Sequence, residues 1–156
     1  MSNVSVMDAI RAHHAEMESQ LRARVAQVRG QARDGAPDEA RDELVRWCRQ
    51  ELLPHAVAEE RTLYHAGAGL ATTRLLVTAM VTEHRVVEGA IDALAGATGA
   101  LPIVAAAAVV EALFSVHLGK ENDLLLPALD GAGLDLVVSL AGMHEIVGQH
   151  HHAAGR

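Results

Sequence analysis

The stretch LLPHAVAEERTLYHAGAGLATTRLLVTAMVTEH, residues 52–84, reads as two helices joined by a turn. On either side of the GAG breaker at 67–69, apolar residues recur three and four apart, the period of a helix that buries one face. Half-way between His55 and His84 falls the boundary between Gly69 and Leu70. In an antiparallel hairpin, residues equidistant from the turn lie level, so these two imidazoles are predicted to sit side by side. Pro54 lies inside the first of the two helices, where it removes a backbone hydrogen bond and is predicted to kink the chain just before His55.

The same test works outward. Breakers at 30–37 (GQARDGAP), 96–102 (GATGALP) and 130–133 (DGAG) delimit helices at about 6–29, 38–66, 72–95 and 103–129, with a shorter fifth at about 135–149. The half-way point of His14 and His55 falls between Asp34 and Gly35, and that of His84 and His117 between Ala100 and Leu101. Both lie in breakers, so one histidine from each long helix is predicted at a common height. Short connections between long helices make antiparallel neighbours. The expected fold is therefore all-α: an up-down-up-down antiparallel four-helix bundle with a short additional C-terminal helix. Residues 1–149 would form this one domain, and 150–156, with His150 to His152, a disordered tail.

Composition agrees with that fold and removes several functions. A chain of 156 residues that is half apolar can build one core, and with only Trp47, Tyr64 and Phe114 aromatic it favours helix over sheet. A net charge of -7 with no basic run argues against nucleic acid or an anionic membrane surface as partner. The charge-free stretch 93–110 contains Gly96, Gly99 and Pro102, which suits a loop between helices better than a membrane span. Cys48 is the lone cysteine, so no internal disulfide forms, and residues 1–7 lack the basic-then-apolar pattern of a signal peptide. A reducing, cytoplasmic location is expected.

At about 100° per residue, Ile10, His14, Met17, Leu21 and Val28 share one stripe of the first helix. Leu44, Cys48, His55, Glu59 and Ala66 line up on the second, Val77, Met80, His84, Glu88 and Ile91 on the third, and Val110, Leu113, His117, Glu121 and Leu124 on the fourth. Three of these stripes carry a carboxylate four residues after the histidine, at core positions. An uncompensated buried carboxylate costs several kcal/mol. Something positive must sit among them, and a nitrogen-rich set bridged by carboxylates suits a pair of first-row transition metal ions better than calcium or magnesium. No Glu-x-x-His occurs, which argues against a ferritin-like di-iron bundle, and His144-Glu145 lacks the second histidine of the zincin motif.

Four segments, AIRAHHAEME (9–18), LLPHAVAEERTLY (52–64), VTEHRVVEGAI (81–91) and FSVHLGKENDLLLPAL (114–129), taken in this order, resemble the hemerythrin-like family, also described as the HHE cation-binding domain. The resemblance implies a four-helix bundle around a non-haem di-iron centre. It implies terminal imidazole ligands at His14, His55, His84 and His117, with Glu59, Glu121 and a solvent-derived oxygen bridging the irons. Oxygen-carrying hemerythrins have a further histidine where this chain has Glu88, and a carboxylate where it has Asn122. Glu88 is expected either as an anionic ligand or as an acceptor from a ligating imidazole. The implied role is handling O2, NO or peroxide, with peroxide breakdown as the enzymatic version. The alternatives are an iron-responsive module that signals to a protein partner, and a metal-free structural bundle. His13 is expected beside the site as a neighbour, Tyr64 to point away from it, Glu60 and Glu83 to be solvated, and His144 to help cap one bundle end.

Overall fold

The computed structural model describes residues 2–138, which are all-helical, with no strand among the described residues. Four rods account for nearly all of them: Asn3–Arg33, 38–68, Arg74–Gly96 and Ala100–Gly131. The first begins earlier than the apolar pattern suggests because the Ser2 hydroxyl accepts from the Ser5 N–H and caps it. It also runs through Gly30 before the chain turns at Gly35. The fourth starts at Ala100, so Pro102 falls in its first turn, where a missing N–H costs nothing. Gly99, at φ +86, supplies the backbone conformation needed to enter that turn. The expected fifth helix lies almost wholly outside the described residues, as do His144 and the 150–156 tail.

Each rod packs against its neighbours in chain order, and the fourth closes back on the first. Side-chain links between first and fourth join Arg29 to Glu111, Glu18 to Ser115, Arg11 to Asn122 and Asn3 to Asp130, one number falling as the other rises. Near the turn between the second and third rods the Gly67 backbone lies close against the Val77 side chain. A Cβ added at Gly67 would lie 2.9 Å from Val77 Cγ2. By length and composition Ala100–Gly131 could cross a membrane. Here its Ile103, Ala107, Val110, Phe114 and Leu118 are buried in the core shared with the other rods.

The second and fourth rods are not uniform α-helices. The second widens to a π turn at Cys48–Leu52 and again at Glu60–Tyr64, and the fourth at Glu121–Leu125. Two of the three turns end two residues before a proline, Pro54 and Pro127. Widening the turn ahead of it accommodates a residue that lacks the N–H and crowds the preceding carbonyl, which refines the expected kink. The third turn has no proline. Thr62 bonds back to the Ala58 carbonyl at 2.7 Å, but Thr78 and Thr82 make the same bond in the regular third rod, so the hydroxyl does not explain it. The turn does allow Leu63 and Tyr64, successive residues, both to be fully buried.

Two apolar clusters fill the interior. One gathers Leu21, Val28, Leu44, Cys48, Ile91, Ile103 and Phe114; the other gathers Val6, Ile10, Leu63, Val77, Met80, Leu125 and Leu129. Burying each large side chain contributes about 1.5–3 kcal/mol. Between the clusters lies a polar layer.

Candidate metal centre

The layer consists of His14, His55, Glu59, His84, His117 and Glu121, none more than 9% exposed. The first and third rods each bring one histidine, while the second and fourth each bring a histidine and a glutamate. Donor atoms of His14, His55 and Glu59 lie within 4.8 Å of one another, as do those of Glu59, His84 and His117. Glu59 belongs to both trios. Glu121, fully buried, sits with an oxygen 3.6 Å from His14 Nε2.

Hydrogen bonds at the outer ring nitrogens decide where the imidazole protons are. His84 Nδ1 lies 2.8 Å from Glu60 Oε1, and His117 Nδ1 lies 3.1 Å from Glu83 Oε2. A carboxylate can only accept, so both Nδ1 atoms donate and, in the neutral rings, both Nε2 atoms present lone pairs. Those two nitrogens face each other at 3.0 Å. His14 Nδ1 donates to Asn122 Oδ1 at 2.8 Å, which leaves its Nε2 lone pair 3.3 Å from Glu59 Oε1. His55 Nε2 is 2.7 Å from that same oxygen but off the hydrogen-bond direction, and no hydrogen bond of good geometry reaches either Glu121 oxygen.

Lone pairs converging at 3.0–3.6 Å repel unless a positive charge lies among them. Donors held about 2.0–2.2 Å from a metal ion at right angles are about 3 Å apart, which is the spacing here. The residues therefore fit a metal ion, with nitrogen and oxygen donors of the kind first-row transition metals take. Without metal, protons stand in for it. Burial alone would raise the Glu59 pKa, but the charge on His55 and the close approach of His14 and His84 hold it well below the usual carboxylate range. Burial, then the negative Glu59, push Glu121 well above that range, so it keeps a proton. Burial opposes charge on His84, yet the neighbouring Glu59 carboxylate and the hydrogen-bonded Glu60 outweigh it and raise its pKa. Burial, aided by charge on His84, holds His117 below the imidazole value against the pull of Glu59.

Glu88 is not part of the layer. It is exposed, and the buried stripe of its helix runs Met80, His84, Val87, Ile91. Met80 to His84 is already a four-residue step, and a second one carries Glu88 about 80° from Met80 and off the inward face, whereas Val87 falls about 20° from Met80. The carboxylates behind the imidazoles are Glu60 and Glu83, both expected in solvent. They stand at the rim, 38% and 29% exposed, and reach inward, Glu83 also pairing with Lys120. His13 stays outside both trios, its ring 4.9 Å from that of His55.

Tyr64 corrects another expectation. It is buried, with its hydroxyl 3.0 Å from His117 Nε2 and its ring stacked on His84 at 5.3 Å. Nine residues after His55 it would face away from a regular helix, but the π turn at Glu60–Tyr64 shifts the register by one residue and sets it one turn beyond Glu59. Burial and the nearby Glu59 and Glu121 push its phenol pKa far up, so it stays neutral. Asn122 was legible only as a departure from the oxygen carriers; the structure gives it the outer nitrogen of His14. Cys48 lies fully buried, its thiol pushed up to about 12 by burial, and is unreactive packing.

A small cavity of about 10 Å³ adjoins both trios, bounded by His55, Glu59, His84 and His117 and by Leu52, Val87 and Phe114. It is about the size of one water molecule. Residues 5–129 match the family model described as hemerythrin HHE cation binding domain. No curated protein and no solved structure matches the chain.

Proposed function

The chain belongs to the hemerythrin HHE cation-binding domain family, and from that premise we propose a non-haem di-iron protein that handles O2, NO or peroxide. The reading takes the rods as an up-down-up-down antiparallel bundle, supported by cross-links whose residue numbers run in opposite senses. The observation that carries it is the pair of trios sharing Glu59, with imidazole lone pairs facing one another. His14 and His55 would hold one iron and His84 and His117 the other, with Glu59 and Glu121 between them. Iron bound there supplies a redox-active Lewis acid able to take up a diatomic molecule or peroxide.

The chain's own groups do the rest. Leu52, Val87 and Phe114 wall the cavity and keep bulk water out, and its size limits the guest to something as small as a diatomic or peroxide. Glu121 gives up its proton when a cation replaces it. Tyr64 holds a neutral hydroxyl beside His117 Nε2. Peroxide breakdown is the enzymatic form of this reading, and a reducing cytoplasm is its setting.

The test is anaerobic ferrous loading of full-length protein with His150, His151 and His152 replaced by Ala, followed by metal analysis and air exposure. About two irons per chain and a new near-ultraviolet absorption in air are expected. Less than one iron, or an unchanged spectrum, would overturn it. A second reading, occupancy as a signal to a protein partner, draws on the same facing lone pairs, which tie order in the layer to metal. It expects melting to drop sharply in chelator, and equal melting with and without chelator removes it.

A further inference from the structure

The outer partners of His14, His84 and His117 are unequal. Behind His84 and His117 stand two carboxylates, Glu60 at 2.8 Å and Glu83 at 3.1 Å. Behind His14 stands a neutral amide, Asn122, at 2.8 Å. An Nδ1–H that donates to an anion pushes electron density toward Nε2 and makes it the better metal donor, and losing such a partner costs 10- to 100-fold in affinity. Partial exposure of both glutamates and the pairing with Lys120 weaken their pull. The lower end of the range, about tenfold, is therefore the expected advantage.

We propose that the two metal positions load in a fixed order: the one bounded by Glu59, His84 and His117 fills first and tightly, because Glu60 and Glu83 back its imidazoles. The position bounded by His14, His55 and Glu59, with Asn122 behind His14, fills second and exchanges faster. Glu60, Glu83 and Asn122 are thus positioning residues that touch no metal and set the rank of the two positions. This rests on the two-metal reading above.

The test is an anaerobic cobalt(II) titration of the full-length protein with its three tail histidines replaced by Ala, followed by visible absorption. Two steps at least about tenfold apart are expected. His117→Ala should erase the tight step and His14→Ala the weak one. Glu60→Gln and Glu83→Gln, close in shape and at the rim, should each weaken the tight step about tenfold and leave the other unmoved. Asn122→Asp should tighten the weak step and narrow the gap. Two equal steps, or glutamine variants that weaken both steps alike, overturn the ranking while leaving the two-metal reading intact. Uptake of less than one cobalt per chain overturns both.

Discussion

The first and third rods are regular helices that each give the centre one histidine; the second and fourth are interrupted by π turns, and each gives a histidine and a carboxylate. The contrast shows how the site is assembled. A regular helix presents one narrow stripe, enough for a single ligand between apolar neighbours such as Ile10 and Met17, or Met80 and Val87. An inserted residue resets the stripe, so the rod can bury a polar group and resume apolar packing on the face its neighbours require. In the second rod, Glu59 is followed by buried Leu63 and Tyr64; in the fourth, Glu121 by buried Leu125 and Leu126.

The harshest way to probe that division is to remove the shared carboxylate. Glu59→Gln should largely abolish metal uptake at both positions, whereas His14→Ala, on a regular rod, should remove one; full occupancy in Glu59→Gln would mean that the carboxylate is not shared. Stability probes come next. Leu21→Ala in the first rod and Leu125→Ala in the fourth each empty a fully buried site and should cost about 2–5 kcal/mol in urea unfolding. Only Leu125→Ala, within the Glu121–Leu125 π turn, should also weaken metal binding. Equal metal affinity in the two variants would deny that the turn positions Glu121.

Acidity offers a gentler probe. Metal-free protein carries extra protons on Glu121 and His84, both with pKa values raised above their ordinary 4.5 and 6.5. A raised group stabilises the fold below its unfolded pKa and loses that contribution as pH climbs through the folded one. His117, lowered, acts oppositely but only below 6.5. Above pH 6.5 the melting temperature without metal should therefore fall with rising pH, and saturating metal should flatten the trend. A rise in that range would contradict the proton assignment. The smallest effect is expected from Thr62→Val, which deletes one hydroxyl bond in a π turn and should cost about 0.5–1.5 kcal/mol, like Thr78→Val on the regular third rod. A much larger loss at Thr62 would show that the hydroxyl maintains the turn.

The contrast also marks what could be read from the chain. Periodicity located the buried faces of the regular rods, from Ile10 through His14 to Val28 and from Val77 through His84 to Ile91. Glu88 failed there because a strict four-residue step drifts outward, while the true face alternates threes and fours. In the second rod the reading passed the first π turn, with His55 and Glu59 buried as expected, and slipped by one residue after the second; in the fourth, Leu113 is only partly buried beside buried Phe114, and the reading slipped again after Glu121. Ala66 was expected inside, but the buried residue is Gly67; Leu124 was expected inside and is 53% exposed, while Leu125 is fully buried. Tyr64 was lost to the same slip. Pro54 hinted at one of the three turns and Pro127 follows another at the same distance, but nothing local announces the one at Glu60–Tyr64. Glu60 and Glu83 were missed because a flexible side chain on a rim can reach an imidazole on a neighbouring rod, a contact no single-helix pattern encodes.

If the centre cycles between oxidation states as proposed, the narrowness of the cavity beside Phe114 and Val87 bears on how it is renewed. A thiol, flavin or quinone is far too bulky for a space the size of one water molecule, so none would reach the centre through it. Electrons would have to tunnel through the protein wall, which makes regeneration depend on where a donor docks outside rather than on what can squeeze inside.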